Sequence, residues 1–363
     1  MRDNLNPHNK KFEVGIIGLG NIGSAVAHYL FSEHPDIYLN IYSRSYHEQE
    51  KGVREQRLRE ITFTSNGSDL DRVRMFRSID GELNVEGEKR RLFDSDVIVY
   101  CARNQNVPFS DFRDRDDEYF ANFAKLKEDA EKLRGYKKGV VLVATNPLEL
   151  TAETIARISG IDKNRIVGGS YIDTSRFRSV LSEQLHNLVG ISVSPEKLEG
   201  AVVIGEHGAG MVPIYSLIRI GGKKFLKHPK LKGKVREKIN HAIKTALIEG
   251  PTKFQTEDEN PMRNVRVPSK ALLQTILAIR DNYKIPTTVY SDDSRLTGVE
   301  ECFITNMCQF GRLEDWANGI TIAAEAKSDF LSYISSSERE KYISSKKDLV
   351  RRINFALKGA VLK

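Results

Sequence analysis

A glycine-rich turn near the start of the chain constrains the fold more than any other feature. The apolar stretch Phe12–Ile17 is typical of a buried strand, and Gly18–Gly23 follows it with the pattern GxGxxG before a helical pattern begins. Between a strand and a helix, this pattern is far more specific than it is alone. Its glycines allow a pyrophosphate to lie against the backbone and the helix N-terminus, where amide groups and the helix dipole favour negative charge. We therefore predict a dinucleotide site at Gly18, Gly20, Asn21, Ile22 and Gly23.

The residues after the second predicted strand bear on the choice of cofactor. Strand-like Ile37–Tyr42 ends at Ser43 and Arg44, where an NAD site usually carries an acid that binds the ribose hydroxyls. Serine and arginine can hold a 2′-phosphate, which a carboxylate would repel. The pattern slightly favours NADP over NAD. The alternative is a solvated Arg44, with Glu48 in contact with the ribose.

Strands and helices alternate through the first half of the chain. Val97–Ala102 and Val140–Ala144 are typical of buried strands, with a predicted helix over 116–134 between them. Such alternation predicts an α/β fold with a doubly wound parallel sheet. Ligands bind such sheets at the carboxyl ends of the strands. The segments that follow predicted strands in this way are Gly18–Gly23, Ser43, Arg103 and Asn146.

The second half predicts a mixed domain of helices and antiparallel strands. Strands are expected over 189–193, 200–204, within 284–310 and over 316–322, and helices over 236–249, 268–282 and 324–335. Residues 336–363 follow a serine-rich joint and have the apolar spacing of an amphipathic helix. We expect this segment to pack on its own protein, with another subunit or an acidic partner as the alternatives.

Charge and cysteine content argue against several classes of protein. The net charge of +7 is uneven, with a lysine-rich stretch over 223–244 that lacks interleaved aromatic residues. It indicates a solvated helix face rather than a nucleic-acid site. Cys101, Cys302 and Cys308 form no CxxC pair, which argues against a disulfide framework or a zinc site and favours a reducing cytoplasm. Without an apolar run of membrane-span length or a signal-peptide core, we expect a cytoplasmic protein with no membrane partner.

Two polar motifs in the second half are candidates for chemistry. An apolar run ends at Gly205-Glu206-His207-Gly208, where the glycines leave room for a molecule to approach the imidazole. Histidine is the side chain best suited to proton transfer near neutral pH. Asp173 and Arg176 are three residues apart, so they share one face at the start of a predicted helix. Taken alone, the histidine is more typical of a structural turn, and the other two are equally consistent with a surface ion pair.

Four motifs occur in the order and at the spacing of one family. They are the glycine turn, Ala144–Glu149 with its Thr-Asn-Pro, Lys163–Arg178, and Gly205–Gly208 with Val212 and Pro213. From about residue 12 to about residue 330, the chain resembles the L-lactate/L-malate dehydrogenase family of NAD(P)-dependent 2-hydroxyacid dehydrogenases. The resemblance implies an N-terminal Rossmann-type doubly wound parallel sheet and a C-terminal α+β catalytic domain, with the active site between them.

The resemblance also implies a role for each site residue. In the family, the motif aspartate and the turn histidine form a proton relay, and here these are Asp173 and His207. Arg176 would bind the substrate carboxylate, because a planar guanidinium matches that group with two hydrogen bonds. Asn146 would bind the reacting oxygen and help to place the nicotinamide. No metal ion is expected.

The family carries a loop arginine that closes over the substrate and polarises its carbonyl group. It stands seven residues before an asparagine of the following helix. Here Asn122 lies seven residues after Arg115, so Arg115 is our assignment and Arg113 is the competitor. The segment 103–115 is several residues longer than is usual in the family, and this is where the chain departs from the pattern.

The lengthened loop leaves the substrate open. Family members distinguish lactate from malate by a loop glutamine or arginine, and the extra residues make that position unassignable. Gln105 would favour a neutral substrate tail, whereas Arg103 or Arg113 would favour a second carboxylate. Arg263 and Arg266 are further candidates, although solvated positions are expected for both. The surplus of arginine favours malate over lactate or a bulkier 2-oxo acid.

The expected organisation has four parts. Residues 1–11 form a flexible N-terminus, 12–162 the dinucleotide-binding domain, 163–335 the catalytic domain, and 336–363 a helical extension beyond the family's usual end. The resemblance implies a homodimer or homotetramer that acts on a small-molecule 2-hydroxy acid. The competing class is a nucleotide-binding regulatory protein that has lost its chemistry, against which the intact set of Asp173, Arg176 and His207 argues.

Overall fold

A computed structural model gives the structure of the chain for residues 11–44, 59, 61–62, 70–85, 87–104, 115–208, 210–249, 263–315, 319–327 and 329–361. The predictions for residues 1–10, Glu48, Gln105, Arg113 and the side chain of Arg263 lie outside the described part of the chain.

The N-terminal half is built on six parallel strands. Its strands are β1 (Phe12–Ile17), β2 (Ile37–Tyr42), β3 (Val73–Phe76), β4 (Glu82–Val85), β5 (Glu88–Arg91), β6 (Val97–Tyr100), β7 (Val140–Val143) and β8 (Ile166–Gly168). Apart from the β4–β5 hairpin, they pair in parallel in the order β3-β2-β1-β6-β7-β8. The strand order reverses between β1 and β6, and this opens a crevice at the carboxyl ends where ligands bind. The predicted doubly wound sheet is confirmed.

Helices cover both faces of this sheet. The helices of the described residues are α1 (Asn21–Glu33), α2 (Arg115–Lys132), α3 (Leu148–Ser159), α4 (Tyr171–Val189), α5 (Lys234–Lys244), α6 (Arg263–Asp281), α7 (Ser294–Thr297), α8 (Phe330–Tyr333) and α9 (Ser336–Val361). Alternate residues of β7 divide the core. Val140 and Leu142 belong to the core under α1 and α6, whereas Val141 and Val143 belong to the core under α2 and α3. None of the helices described is long and apolar enough to span a membrane.

The C-terminal half continues the same sheet with antiparallel strands. They are β9 (Val202–Gly205), β10 (Met211–Ile214), β11 (Arg219–Ile220), β12 (Lys223–Lys224), β13 (Ile285–Ser291), β14 (Cys302–Asp315) and β15 (Gly319–Ala326). β13 pairs with β8 on one side and with β14 on the other, while β14 also pairs with β9 and β15. The sheet therefore runs across the boundary expected after residue 162. A separate apolar core between α4, α5 and β9 includes Phe177, Ile239 and Val203.

Two predicted elements of the C-terminal half are wrong. The sequence predicts a strand over 189–193, but α4 continues to Val189 and ends at Gly190, whose φ of 68° gives the left-handed helix end that glycine favours. The sequence also predicts a helix over 324–335. There β15 extends to Ala326, because its pairing with β14 holds these residues in the sheet, and only the short α8 follows.

Residues 336–363 contain the predicted helix, α9. Its buried face includes Tyr342, Leu349 and Ile353, and it packs against β9, β10 and α3. The fully buried Lys346 forms an ion pair with Asp293, and the hydroxyl of Tyr342 donates to the other oxygen of that carboxylate at 2.8 Å. The helix is therefore docked on its own fold, as the sequence predicts.

Candidate active site

The glycine turn after β1 has a shape that suits a phosphate group. Gly18 has a φ of 100°, and a Cβ at Gly23 would lie 2.0 Å from the carbonyl oxygen of Gly18, so the turn closes this tightly only with glycine. A Cβ at Gly20 would meet no atom within 4 Å. Gly20 is the N-cap of α1 and has no side chain to accept a hydrogen bond from the first amides of the helix. These residues fit the pyrophosphate of a dinucleotide.

Ser43 and Arg44 lie at the end of β2, one strand away from the glycine turn. Ser43 is buried and Arg44 is exposed. The charge of Arg44 also acts on Glu128 of α2, whose pKa is lowered mainly by its hydrogen bond with Lys132 and, to a smaller degree, by Arg44.

His207 and Asp173 meet across the interface between the β9 turn and the first turn of α4. His207 Nδ1 lies 2.7 Å from Asp173 Oδ2, and the aspartate side chain is 1% exposed. Burial lowers the pKa of His207, but the charge of Asp173 and its hydrogen bond outweigh burial, so the net pKa is raised. Because Asp173 engages Nδ1, the other ring nitrogen is the one left to exchange a proton with a substrate.

Glu149 supports the backbone of His207. The amide of His207 donates to Glu149 Oε1 at 2.9 Å, and the hydroxyl of Thr288 donates to the same oxygen at 3.4 Å. Burial, and then the charge of Glu206, raise the pKa of Glu149 to about 7. Glu149 lies in the Thr-Asn-Pro motif used for the resemblance, but the sequence alone indicated no role for it.

The turn that carries Asn146 is held at the carboxyl ends of β6 and β7. The hydroxyl of Thr145 donates to the carbonyl oxygen of Ala102 at 2.9 Å, and the Asn146–Pro147 peptide bond is cis. Pro147 then caps α3, so Asn146 stands between the end of β7 and the start of that helix. This is the crevice side of the sheet, where the glycine turn also lies.

Two of the predicted arginines, Arg115 and Arg176, contribute their charge to the same small region of the structure. Burial lowers the pKa of Arg176, Asp173 raises it, and Arg115 lowers it further. Arg115 is the first residue of α2, donates to Glu118 at 2.8 Å, and also lowers the pKa of His207. Arg115, Arg176 and His207 are therefore within electrostatic range of one another, as an anionic substrate requires.

Arg103 follows the end of β6 at the same edge of the sheet. Burial lowers the pKa of Arg103 and Glu118 raises it. Its side chain is half-buried, near the carboxylate that also pairs with Arg115. Arg266 is exposed on α6, in keeping with the solvated position expected for it.

Sequence reasoning missed a second contact to the turn that carries His207. The amide of Glu206 donates to the hydroxyl of Ser345 on α9 at 3.0 Å. The turn is thus held by Glu149 from one side and by α9 from the other. No local signal identifies Ser345, because the contact joins residues 139 positions apart.

A dinucleotide-type crevice beside a histidine–aspartate pair and two arginines defines the class of nicotinamide-dependent dehydrogenases. No family model matches the chain. It is 30% identical to a malate dehydrogenase of Thermoplasma volcanium over 244 residues, 66% of this chain and 66% of that enzyme. It is 34% identical to an L-lactate dehydrogenase of Bacillus caldolyticus over 146 residues, 40% of this chain and 43% of that enzyme.

A solved structure extends these matches over the whole fold. The malate dehydrogenase of Picrophilus torridus in its apo form superposes with a TM-score of 0.70 at 25% identity, and covers 96% of this chain and 98% of its own. The chain belongs to the L-lactate/L-malate dehydrogenase family, whose members are oxidoreductases that act on a CH–OH group. The family, the α/β fold class and the enzyme class predicted from the sequence are confirmed.

The part of this chain that the superposition leaves unmatched is smaller than residues 336–363, so the Picrophilus enzyme covers part of that segment. In this chain, α9 contacts the turn that carries His207.

Proposed function

We propose that this protein catalyses reversible hydride transfer between C2 of an L-2-hydroxy acid and C4 of a nicotinamide cofactor. The observation that carries the proposal is the 2.7 Å contact between His207 and the buried Asp173, next to two arginines and the glycine turn. A bound nicotinamide dinucleotide supplies or accepts the hydride. The chain supplies the proton, the binding of the carboxylate and the orientation of the reacting group.

In the reducing direction, protonated His207 gives its proton to the oxygen of the 2-oxo acid. Asp173 orients the imidazole and favours its protonated form, which agrees with the raised pKa of His207. Arg176 binds the substrate carboxylate, while Arg115 and Asn146 engage the reacting oxygen as negative charge develops on it. In the oxidising direction, neutral His207 accepts the hydroxyl proton.

Malate and oxaloacetate are the favoured substrates, with lactate or another 2-hydroxy acid as the alternative. The half-buried Arg103 would bind a second carboxylate of the substrate at this edge of the site. NADP is slightly favoured over NAD, because Ser43 and Arg44 stand where an acid would contact an NAD ribose. Replacing Arg44 by Ala should weaken NADPH binding and leave NADH binding nearly unchanged, with the exposed Arg134→Ala as the control.

The deciding experiment measures reduction of oxaloacetate and of pyruvate, each with NADPH and with NADH. The preferred pair should be oxaloacetate with NADPH. If none of the four pairs is turned over, the proposed 2-hydroxyacid dehydrogenase activity is refuted. His207→Asn should lower kcat roughly a thousandfold or more while leaving cofactor binding intact, and the exposed His186→Asn serves as the matched control. A catalytically silent nucleotide-binding protein would bind cofactor equally well in all three forms and turn nothing over.

We further propose a homodimer or homotetramer in a reducing cytoplasm. The assembly follows from the resemblance alone, and light scattering of the purified protein tests it. The reducing environment is supported by Cys101, Cys302 and Cys308, which are free thiols in the structure. No membrane or nucleic-acid partner is proposed.

A further inference from the structure

The guanidinium of Arg352, on α9, contacts two carboxylates from distant parts of the chain. Its Nη2 and Nε lie 2.6 Å and 3.2 Å from Asp116 Oδ1, and its Nη1 forms an ion pair with Glu206 Oε1. Asp116 is 236 residues away in sequence and Glu206 is 146 residues away. One side chain therefore joins the start of α2 to the turn after β9.

Each of these carboxylates is the immediate neighbour of a residue proposed for the chemistry. Asp116 directly follows Arg115, and Glu206 directly precedes His207. We propose that Arg352 is a positioning residue that holds the backbone of Arg115 and of His207 at a fixed separation by bridging Asp116 and Glu206. This role rests on the proposed function in so far as it concerns turnover.

An arginine suits this position because the bridge needs one group with several donors in a rigid plane. A lysine has a single charged nitrogen and can hold one carboxylate at a time with good geometry. The Arg352 and Asp116 side chains are 32% and 35% exposed, and that of Glu206 is 11% exposed. Solvent screens the bridge less at the Glu206 end, so Arg352 matters most to the turn that carries His207.

Loss of the arginine would leave Glu206 without its counter-charge close to another buried acid. Burial raises the pKa of Glu206, and Arg352 opposes that effect. Glu206 in turn raises the pKa of Glu149, so the two carboxylates repel each other. Without Arg352, the turn can relieve this repulsion by moving Glu206 toward solvent, and His207 would move with it.

The docking of α9 does not depend on Arg352. The buried Lys346–Asp293 ion pair, the hydrogen bond from Tyr342 to Asp293 and the buried face at Leu349 and Ile353 hold the helix in place. A substitution at Arg352 should therefore act locally, on α2 and the turn, rather than release the helix.

The test compares Arg352→Gln, Arg352→Lys and the control Arg351→Gln in the full chain. Arg351 is the adjacent residue, 79% exposed, and pairs with Asp348 of its own helix at 3.4 Å. Hydrogen–deuterium exchange should become faster in peptides spanning 115–122 and 203–208 for Arg352→Gln, by less for Arg352→Lys, and should not change for Arg351→Gln. This readout needs no turnover, so it tests the bridge even if the wild type proves inactive and the proposed function fails.

The kinetic arm separates positioning from folding. For Arg352→Gln, kcat/KM of the 2-oxo acid should fall between about tenfold and a hundredfold, with cofactor binding unchanged. Arg352→Lys should recover part of the loss. If Arg352→Gln does not fold, the pair Asp116→Asn and Glu206→Gln replaces it, and each should loosen its own peptide. Unchanged exchange in both peptides, or a kinetic loss shared equally by Arg351→Gln, would overturn the proposal.

Discussion

The glycine turn lies within six consecutive residues, whereas the surroundings of His207 are assembled from α2, α3, α4 and α9. At the first site, backbone amides and missing side chains create the binding space. At the second, side chains such as Asp173, Glu149 and Ser345 hold one short turn from three directions. The cofactor end thus depends on local backbone geometry, and the substrate end depends on tertiary packing. Substitutions at the two ends should fail in different ways.

The largest effect is expected for Asp173→Asn at the substrate end. Without the carboxylate charge, the pKa of His207 should fall, since Asp173 is what raises it against burial. Reduction needs protonated His207. The wild-type rate should therefore persist up to the raised pKa of His207, which lies above the ordinary value of 6.5. The residual rate of the variant should begin to decline at a lower pH than the wild-type rate does. The turnover number should drop about ten-thousandfold. Pre-steady-state and steady-state rates across pH measure both changes.

Cofactor binding by the same variant sharpens the comparison. Fluorescence titration with NADPH should give equal dissociation constants for Asp173→Asn and the wild type, because Asp173 lies on α4 and not on the glycine turn. A large loss of cofactor affinity would contradict the separation of the two ends.

The next effect is expected for the matched pair Gly23→Ala and Gly20→Ala. A Cβ at Gly23 collides with the backbone of Gly18, so this variant should lose about 1–3 kcal/mol of stability. A Cβ at Gly20 meets nothing, so the fold should be retained and only cofactor affinity should fall, because the methyl group occupies space proposed for the pyrophosphate. Thermal unfolding without and with cofactor distinguishes the two. Equal melting temperatures for both variants would go against the geometry of the turn.

A smaller effect is expected for Glu149→Gln, measured as stability against pH. The pKa of Glu149 rises from 4.5 to about 7 in the folded protein, so the folded state binds the proton more tightly than the unfolded state. Stability should therefore fall as pH rises through this window, by up to about 1.4 kcal/mol per pH unit. Glutamine keeps an acceptor for the His207 amide and removes the titration. Urea unfolding should show a flatter pH dependence in the variant, and parallel curves would exclude Glu149 as the cause.

The sequence predicts best what is contiguous. The strand, turn and helix over 12–33 can be predicted because the hydrophobic pattern and the backbone geometry that the glycines allow agree. Asp173 and His207 are 34 residues apart in the sequence. The family motifs predicted that they form a pair, and in the structure His207 Nδ1 lies 2.7 Å from Asp173 Oδ2. Their catalytic roles remain proposals. The contact of Glu149 with the His207 amide left no sequence signal, because an acid after a Thr-Asn-Pro turn has many possible partners.

The two wrong predictions of structure have different causes: a glycine that ends a helix in one, and pairing with a distant strand in the other. Val189–Val193 has a strand-like composition, yet its first residue completes α4 and Gly190 ends the helix. Residues 324–326 look helical but pair with β14. Arg352 lay in a segment that the sequence suggested was outside the family fold, so its neighbours at Asp116 and Glu206 could not be anticipated.

The order of strands in the sheet has a consequence for synthesis of the protein. β13 and β14, from residues 285–315, lie between β8 and β9, which were made about a hundred residues earlier. A nascent chain that has reached only α5 therefore carries two open strand edges that are paired in the finished protein, one on β8 and one on β9. Unpaired edges invite association with other chains. The ribosome-bound protein should thus depend on chaperones until residue 315 has emerged, and mutations that slow the insertion of β13 should lower yield more than they lower the stability of the finished enzyme.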